Sequence, residues 1–235
     1  FKNKLFTAVY GAEPMDYDSM VADFEKIHDR IVPMIKETTS MVNKALDEDK
    51  TVLFEGAQAC MLDINYGTYP FVTSSSPTSA GVTTGAGVAP SRLQTIVGVV
   101  KAYSTRVGEG PFVTELLDEQ GAWIREHGFE FGATTGRPRR CGWLDLLVVK
   151  HAAMLNGLTD IVLTKIDVLS GLDTLKVCTG YEIDGKVYDY IPSDQADVAK
   201  AKPVYKEFKG WKEDISKMSS VDELPKECLD YIKFI

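Results

Sequence analysis

Apolar residues recur near the helical period between Tyr17 and Ile35, at Val21, Phe24, Ile27, Ile31, Met34 and Ile35, which predicts an amphipathic helix. Asp16 or Asp18 caps its start, and Pro33 breaks or kinks it. A second helical piece covers Thr39 to Leu46. TVLFEGA, Thr51 to Ala57, is a short apolar run ending in Glu-Gly and reads as a buried parallel strand. Ile96 to Gly108 reads as a strand and its exit, Thr114 to His127 and Trp143 to Asn156 as helices, and Asp160 to Ile166 as another buried strand. Leu175 to Ile191 alternates around Ile183-Asp184-Gly185-Lys186, a hairpin signal. A short strand, Pro203 to Phe208, and a helix interrupted by Pro225, Val221 to Ile232, complete the pattern.

Strands alternating with helices predict an α/β fold. Ligands in such folds sit beyond the carboxyl ends of the strands. The exits at Glu55 to Gln58, Ser104 to Val107 and Thr164 to Asp167 are therefore the first positions to examine. Between Asp63 and Pro90 runs a long stretch rich in Gly, Ser, Thr and Pro. A loop of that length is usually functional or disordered, and Tyr66, Tyr69 and Phe71 argue for an ordered one.

Composition narrows the choice little. The chain has 235 residues, 44% of them hydrophobic and 26% charged, which is ordinary for a globular protein. A net charge of −8 argues against nucleic-acid binding, so anionic ligands need a local basic cluster. Arg137, Arg139 and Arg140 form the clearest one. The four cysteines, Cys60, Cys141, Cys178 and Cys228, show no metal-type spacing and read as buried or half-buried thiols of a cytoplasmic protein. No apolar stretch approaches the ~20 residues of a membrane span. The first residues have no signal-peptide layout and no initiator Met, which suggests a fragment.

Four segments carry candidate chemistry. Thr164-Lys165-Ile166-Asp167 closes an apolar strand. A carboxylate there can accept two parallel hydrogen bonds from guanine's ring N–H and exocyclic amine, a pair that adenine lacks, while the lysine stem lies on the base. Gly132-Ala133-Thr134-Thr135-Gly136-Arg137-Pro138-Arg139-Arg140 brackets two threonines with glycines and follows them with guanidiniums, which suits a carboxylate or a phosphate. Phe54-Glu55-Gly56-Ala57-Gln58 places an amide at a strand exit, where it can donate to a developing oxyanion. Gly67 to Ser75 follows an aromatic-anchored turn with a row of hydroxyls that can hold a phosphate. Each has a plainer reading as well: solvated strand-end charges, a basic turn, a surface amide, a hydroxyl-rich loop.

In order and spacing, FEGAQ, LDINYGTYPFVTSS, KAYSTRVGEGPFVTE, GATTGRPRRCGWLD and LTKIDVLSGLDTLKVC together resemble the adenylosuccinate synthetase family. The match is close from Thr51 to Tyr181 and looser on either side. The resemblance implies that residues 1–235 are the C-terminal portion of a single domain of a P-loop-NTPase-like α/β fold, with 51–181 the motif-bearing core. It implies a central, mostly parallel sheet flanked by helices and a C-terminal portion containing a β-hairpin. It implies a C–N ligase of purine (AMP) biosynthesis: GTP phosphorylates O6 of IMP, and the amine of L-aspartate displaces that phosphate. Gln58 would donate to O6 and contact IMP. Thr73, Val107 and Arg137 would also bind IMP. Ala133, Thr134, Thr135, Gly136 and Arg137 would form the loop that closes on aspartate, and Arg139, Lys165 and Asp167 would bind GTP. The family also implies Mg2+, with its ligands outside these residues, and a cytoplasmic homodimer. Its phosphate loop, general base and far C-terminal guanine-holding segment have no counterpart in the chain, so the chain alone would be inactive, or else only a nucleotide-binding or interaction fragment. Two local departures stand out: Pro138, where a basic residue is common, and Ala59, where Gly is common.

Overall fold

The computed structural model describes residues 1–133 and 136–235. The chain divides into two compact units, Phe1–Val52 and Leu53–Ile235.

The first unit is helical. α1 is Lys2–Ala8, α2 is Tyr17–Ile31 and α3 is Thr38–Asp47. Asp16 caps α2 by accepting from the Ser19 N–H at 3.2 Å. Pro33 then turns the chain into a 3-10 turn, Val32–Met34, because its ring cannot continue the helix ladder. Glu37 caps α3 through both carboxylate oxygens, on Thr39 N and Ser40 N. The apolar stripe of α2 is present, but Phe24, Ile27 and Ile31 are exposed.

The second unit holds the core. Along the chain it runs α4 (Ala80–Ala86), β1 (Val97–Lys101), β2 (Ser104–Arg106), α5 (Glu119–His127), β3 (Arg140–Gly142), β4 (Leu144–Asp145), α6 (Leu146–Asn156), β5 (Asp160–Thr164), β6 (Thr174–Ile183), β7 (Lys186–Tyr188), α7 (Gln195–Lys200), β8 (Lys202–Lys209) and α8 (Lys226–Phe234). Three small sheets result. β1 and β5 pair in parallel, from Val97↔Asp160 to Lys101↔Thr164. β2 and β3 pair antiparallel. β6 takes β8 antiparallel along one edge, and β4 (parallel) and β7 (antiparallel) on the other.

Several expectations change here. The fold is mixed α/β, but among the described residues parallel pairing is confined to β1–β5 and β4–β6; no central, mostly parallel sheet forms. Thr51–Ala57 is not a strand, and Leu53 is 88% exposed. An apolar run becomes a strand only when a neighbour takes its backbone groups, and none of the described residues does. α5 and α6 start later than their apolar patterns suggest, because Asp118 and Asp145 cap them: Asp118 accepts from Gln120 N and Gly121 N, and Asp145 from Leu147 N. The expected hairpin is present as β6–β7, turning at Asp184 and Gly185, both with positive φ.

Trp143, Trp211, Tyr103, Tyr231, Ile124 and Leu169 are among the buried residues of the main cluster. The Tyr231 hydroxyl donates to Ala102 O at 2.7 Å, tying α8 to the exit of β1. Cys141, Cys178 and Cys228 are buried and Cys60 half-buried, all as free thiols. No described helix is long and apolar enough to cross a membrane.

Candidate functional site

The segment after Leu53 is shaped by one carboxylate. Asp63 is fully buried. Its Oδ1 accepts from Asn65 N and Tyr66 N, and its Oδ2 from Ser76 Oγ at 2.6 Å and Thr78 Oγ1 at 3.4 Å. Burial pushes the Asp63 carboxyl up, and these donors outweigh it and hold the group below the usual carboxylate range. Gly67 packs against this turn; a Cβ there would lie 2.3 Å from Met61 O and 2.6 Å from Asp63 O. The loop thus needs glycine, and the stretch is held by Asp63 and its donors rather than by its aromatics, since Tyr66, Tyr69 and Phe71 are exposed.

Gln58 and Thr73, predicted from separate motifs, meet here. Gln58 Nε2 donates to Thr73 Oγ1 at 3.1 Å, and Ser75 Oγ donates to Gln58 Oε1 at 3.2 Å. Ser75 has one hydroxyl hydrogen and spends it on Gln58, so the 3.2 Å contact between Thr73 and Ser75 takes its hydrogen from Thr73. A closed ring of three donors and three acceptors orients the amide. Gln58 holds a left-handed backbone, φ 70°, which turns its exposed side chain back over the loop. One Nε2 hydrogen lies outside the ring.

Val107 follows β2 and is exposed. Two guanidiniums set its loop. Arg106 Nε donates to Glu109 O at 2.9 Å and Nη2 to Thr68 Oγ1 at 2.9 Å, so one side chain joins this loop to the hydroxyl-rich one. Arg140 Nη1 donates to Gly108 O and Gly110 O, while Nε and Nη2 grip Glu115 in a bidentate pair at 2.8 and 2.5 Å. That pairing raises the Arg140 pKa, whereas burial and the nearby Arg140 charge lower that of Arg106. Of the three clustered arginines, Arg140 is therefore committed to Glu115 and to the Gly108–Gly110 backbone.

The Ala133–Gly136 loop sits on a short antiparallel stem. Gly132 N donates to Arg137 O at 2.8 Å, Arg139 N donates to Glu130 O at 2.9 Å, and Phe131 pairs with Pro138. Ala133, Gly136 and Arg137 are exposed. Thr134 and Thr135 lie outside the described residues. Pro138 occupies a position that donates nothing to the stem, so its missing N–H costs no bond. Below it, Glu130 is buried to 1% exposure. Its Oε1 accepts from Lys101 Nζ and the Tyr103 hydroxyl, each at 2.7 Å, and its Oε2 from Arg139 Nη1 at 2.8 Å.

Lys165 leaves β5 in a left-handed conformation, φ 61°, and its Nζ donates to Gly128 O at 3.1 Å. Asp167 follows in a 3-10 turn, Ile166–Leu169. It lines an open cleft of about 340 Å³ with Trp123, His127, Val168, Ser170, Gly171, Lys212 and Asp214. Trp123 and His127 stack with centroids 3.6 Å apart, and among the described residues the buried Trp123 indole N–H has no partner. Gly171, φ 95°, lets the backbone approach that indole, since a Cβ would lie 3.3 Å from the ring.

The predicted residues thus fall into a connected series. Gln58 and Thr73 are in direct contact, Arg106 joins their loop to Val107's, Arg140 joins that loop to β3, and Gly128, two positions before the stem, accepts from Lys165. Sequence reasoning missed Asp63, Arg106, Glu130, Trp123 and His127. An acidic residue inside a long apolar-aromatic loop, or beside a glycine bracket, was the available signal for the first and third. His127, outside the recognised motifs, had none. Among the described residues no three His, Cys, Asp or Glu side chains converge.

The adenylosuccinate synthetase family model matches residues 1–235. The adenylosuccinate synthetase of Fusobacterium nucleatum is 60% identical over 232 residues, covering 99% of this chain and 55% of its own. That of Bifidobacterium longum is 56% identical, covering 99% and 54%. The structure of fully ligated adenylosuccinate synthetase from Plasmodium falciparum superposes with a TM-score of 0.92 at 42% identity, covering 97% of this chain and 55% of that one. The chain spans about half the length of the curated relatives it matches. With its hydroxyl-rich loop, glycine-bracketed stem and left-handed Lys165 turn in the order of the family's motifs, this chain belongs to the adenylosuccinate synthetase family.

Proposed function

We propose that this chain supplies the ring-oxygen, aspartate and guanine groups of an enzyme that ligates IMP and L-aspartate to adenylosuccinate with hydrolysis of GTP to GDP and phosphate. The observation that carries the reading is the Gln58–Thr73–Ser75 ring, which joins two separately predicted IMP residues across 15 positions of sequence. In the first step a base outside this chain takes the N1 proton of IMP, O6 attacks the γ-phosphorus and GDP leaves. The oriented Gln58 amide donates its remaining N–H to O6 as negative charge develops there. Thr73 swings its hydroxyl hydrogen from Ser75 to the IMP phosphate. In the second step the aspartate amine attacks C6, phosphate leaves, and the amine loses a proton. The Ala133–Gly136 loop, Thr134 and Thr135 included, closes on the aspartate carboxylates, and Arg137 reaches them and the IMP ribose. Val107 meets that ribose through its backbone.

For GTP, Asp167 accepts from the guanine ring N–H and amine in the cleft beside Trp123, Lys165 lays its stem along the base, and Arg139 faces the phosphates. Mg2+, held by groups outside this chain, would neutralise charge on the GTP phosphates. The parallel β1–β5 pair fits the edge of a larger P-loop-NTPase-like sheet, with residues 1–235 as one portion of a single domain, in a cytoplasmic homodimer.

The test is Gln58→Ala in the full-length protein, assayed for IMP- and aspartate-dependent GDP release. We expect kcat to fall about 100-fold with the KM for GTP unchanged. Undiminished kcat would remove Gln58 from the chemistry. Asp167→Asn should weaken GTP about tenfold or more and leave IMP unchanged; equal losses would contradict the guanine assignment.

A further inference from the structure

Glu130 stands outside the substrate contacts just described, yet it is among the most buried charged groups of the chain. Its two oxygens have different tasks. Oε1 takes Lys101 and Tyr103, both at 2.7 Å, and this alone would satisfy the end of β1 and the core tyrosine. Oε2 takes Arg139 Nη1 at 2.8 Å. The backbone repeats the link, because Glu130 O accepts from Arg139 N. Glu130 therefore grips the opposite arm of the loop's stem at both main chain and side chain.

The guanidinium is held by one corner only. Among the described residues Arg139 Nε is buried with no hydrogen-bond partner, so a strong donor next to the stem is kept out of water and unspent. A buried polar group in that state is costly unless a ligand completes it. A charged carboxylate at Nη1 fixes the plane of the fork, and with it the direction of that donor. Two positions before Glu130, Gly128 O accepts from Lys165 Nζ, so residues 128–130 touch both the guanine segment and the stem.

We propose that Glu130 is a positioning residue for the ligase reaction: its Oε2 fixes the Arg139 guanidinium and, through it, the base of the hairpin that carries the aspartate loop. The inference rests on the reading that Arg139 serves GTP and that the 133–136 loop serves aspartate. Glu130 touches no substrate and acts through Arg139.

The test uses Glu130→Gln and Glu130→Asp in the full-length enzyme, with KM measured for all three substrates. The aspartate variant keeps the charge that the buried cations need but is one methylene too short to reach Arg139, so it carries the test even if the glutamine variant fails to fold. Both should raise the KM for GTP and aspartate about tenfold and change that for IMP less than about twofold. A general loss of packing would move all three together, and that result, or no change in any, overturns the proposal. Arg139→Leu separates the two layers. If it leaves GTP and aspartate untouched, the assignment of Arg139 is wrong. If it raises their KM while Glu130→Asp does not, only the positioning role falls. In the double variant Glu130→Asp/Arg139→Leu the effect should be no larger than that of Arg139→Leu alone; additive effects would show that Glu130 does not act through Arg139.

Discussion

Two buried carboxylates organise two loop regions of this molecule, by opposite means. Asp63 shapes the Gln58–Ser75 loop with neutral donors: two backbone N–H groups and two hydroxyls. Glu130 shapes the stem of the 133–136 loop with two cations and a phenol. In both cases burial raises the carboxyl and the donors overcome it, so both are held below the usual range. The difference lies in what each carboxylate leaves behind when removed. Without Asp63, neutral dipoles lose a partner and water or a hydroxyl can replace it. Without Glu130, two half-buried cations face one another with no counter-charge. Neutral donors suit a loop whose hydroxyls also bond one another, as Ser76 and Thr78 do. Fixed cations suit a stem whose two arms are held in register at both main chain and side chain.

The largest expected effect therefore falls at the charged centre. Glu130→Leu should destabilise the protein by about 3–5 kcal/mol, read as a lower denaturant midpoint with an unchanged slope. A loss as small as that at Asp63 would mean that solvent reaches Lys101 and Arg139 and that the contrast is false. Asp63→Asn should cost about 1–2 kcal/mol, since the amide keeps one acceptor oxygen but turns an NH2 toward groups that are themselves donors. If it costs more than the Glu130 variant, the comparison inverts.

Both centres went unread for the same reason: an acidic residue in a loop or beside a glycine marks a position but not its distant partners. Periodicity reports which face of an element is apolar, and caps report where helices start; so α2, α6, β5 and the β6–β7 turn were all foreseen, the first with its Asp16 cap. The motifs likewise pointed to Gln58, Thr73 and the Lys165 turn. Asp63 and Glu130 act across 13 and 29 positions, on Ser76 and Lys101, and no local pattern encodes a partner that distant. The strand expected at Thr51–Ala57 failed on the complementary point: apolarity gives a segment the means to pair but says nothing of whether a neighbour is there. The mostly parallel sheet was implied by the family resemblance, whereas among the described residues β6 pairs antiparallel with β7 and β8 and parallel with β4.

Acid should sharpen the contrast with a smaller effect. A carboxyl held low in the folded state contributes stability that is fully present above the unfolded value, about 4 for Asp and Glu, and is lost as pH falls through the folded value. Asp63 and Glu130 both follow that sign. Asp145 follows the other: burial outweighs its Tyr181 and backbone donors and raises it, so its contribution is lost as pH rises through the folded value. Stability measured from pH 7 downward should fall below about pH 4, and Asp63→Asn should make that fall shallower. A slope unchanged by the substitution would show that Asp63 is not held low.

The smallest effect is expected at Pro138, and it tests whether the stem is fixed from below by Glu130 or from above by the proline ring. Pro138 pairs with Phe131 at a position that donates no stem hydrogen bond; the flanking bonds belong to Gly132, Arg137, Glu130 and Arg139. A residue with a free N–H there gains no partner in the stem, and the relaxation it allows is limited to unfolded-chain entropy. Pro138→Lys should therefore change stability by no more than about 1 kcal/mol and leave the KM for aspartate in the full-length enzyme unchanged. If it instead raises that KM as much as Glu130→Asp does, the stiffness of the stem comes from proline, and the buried charge beneath it serves the core alone.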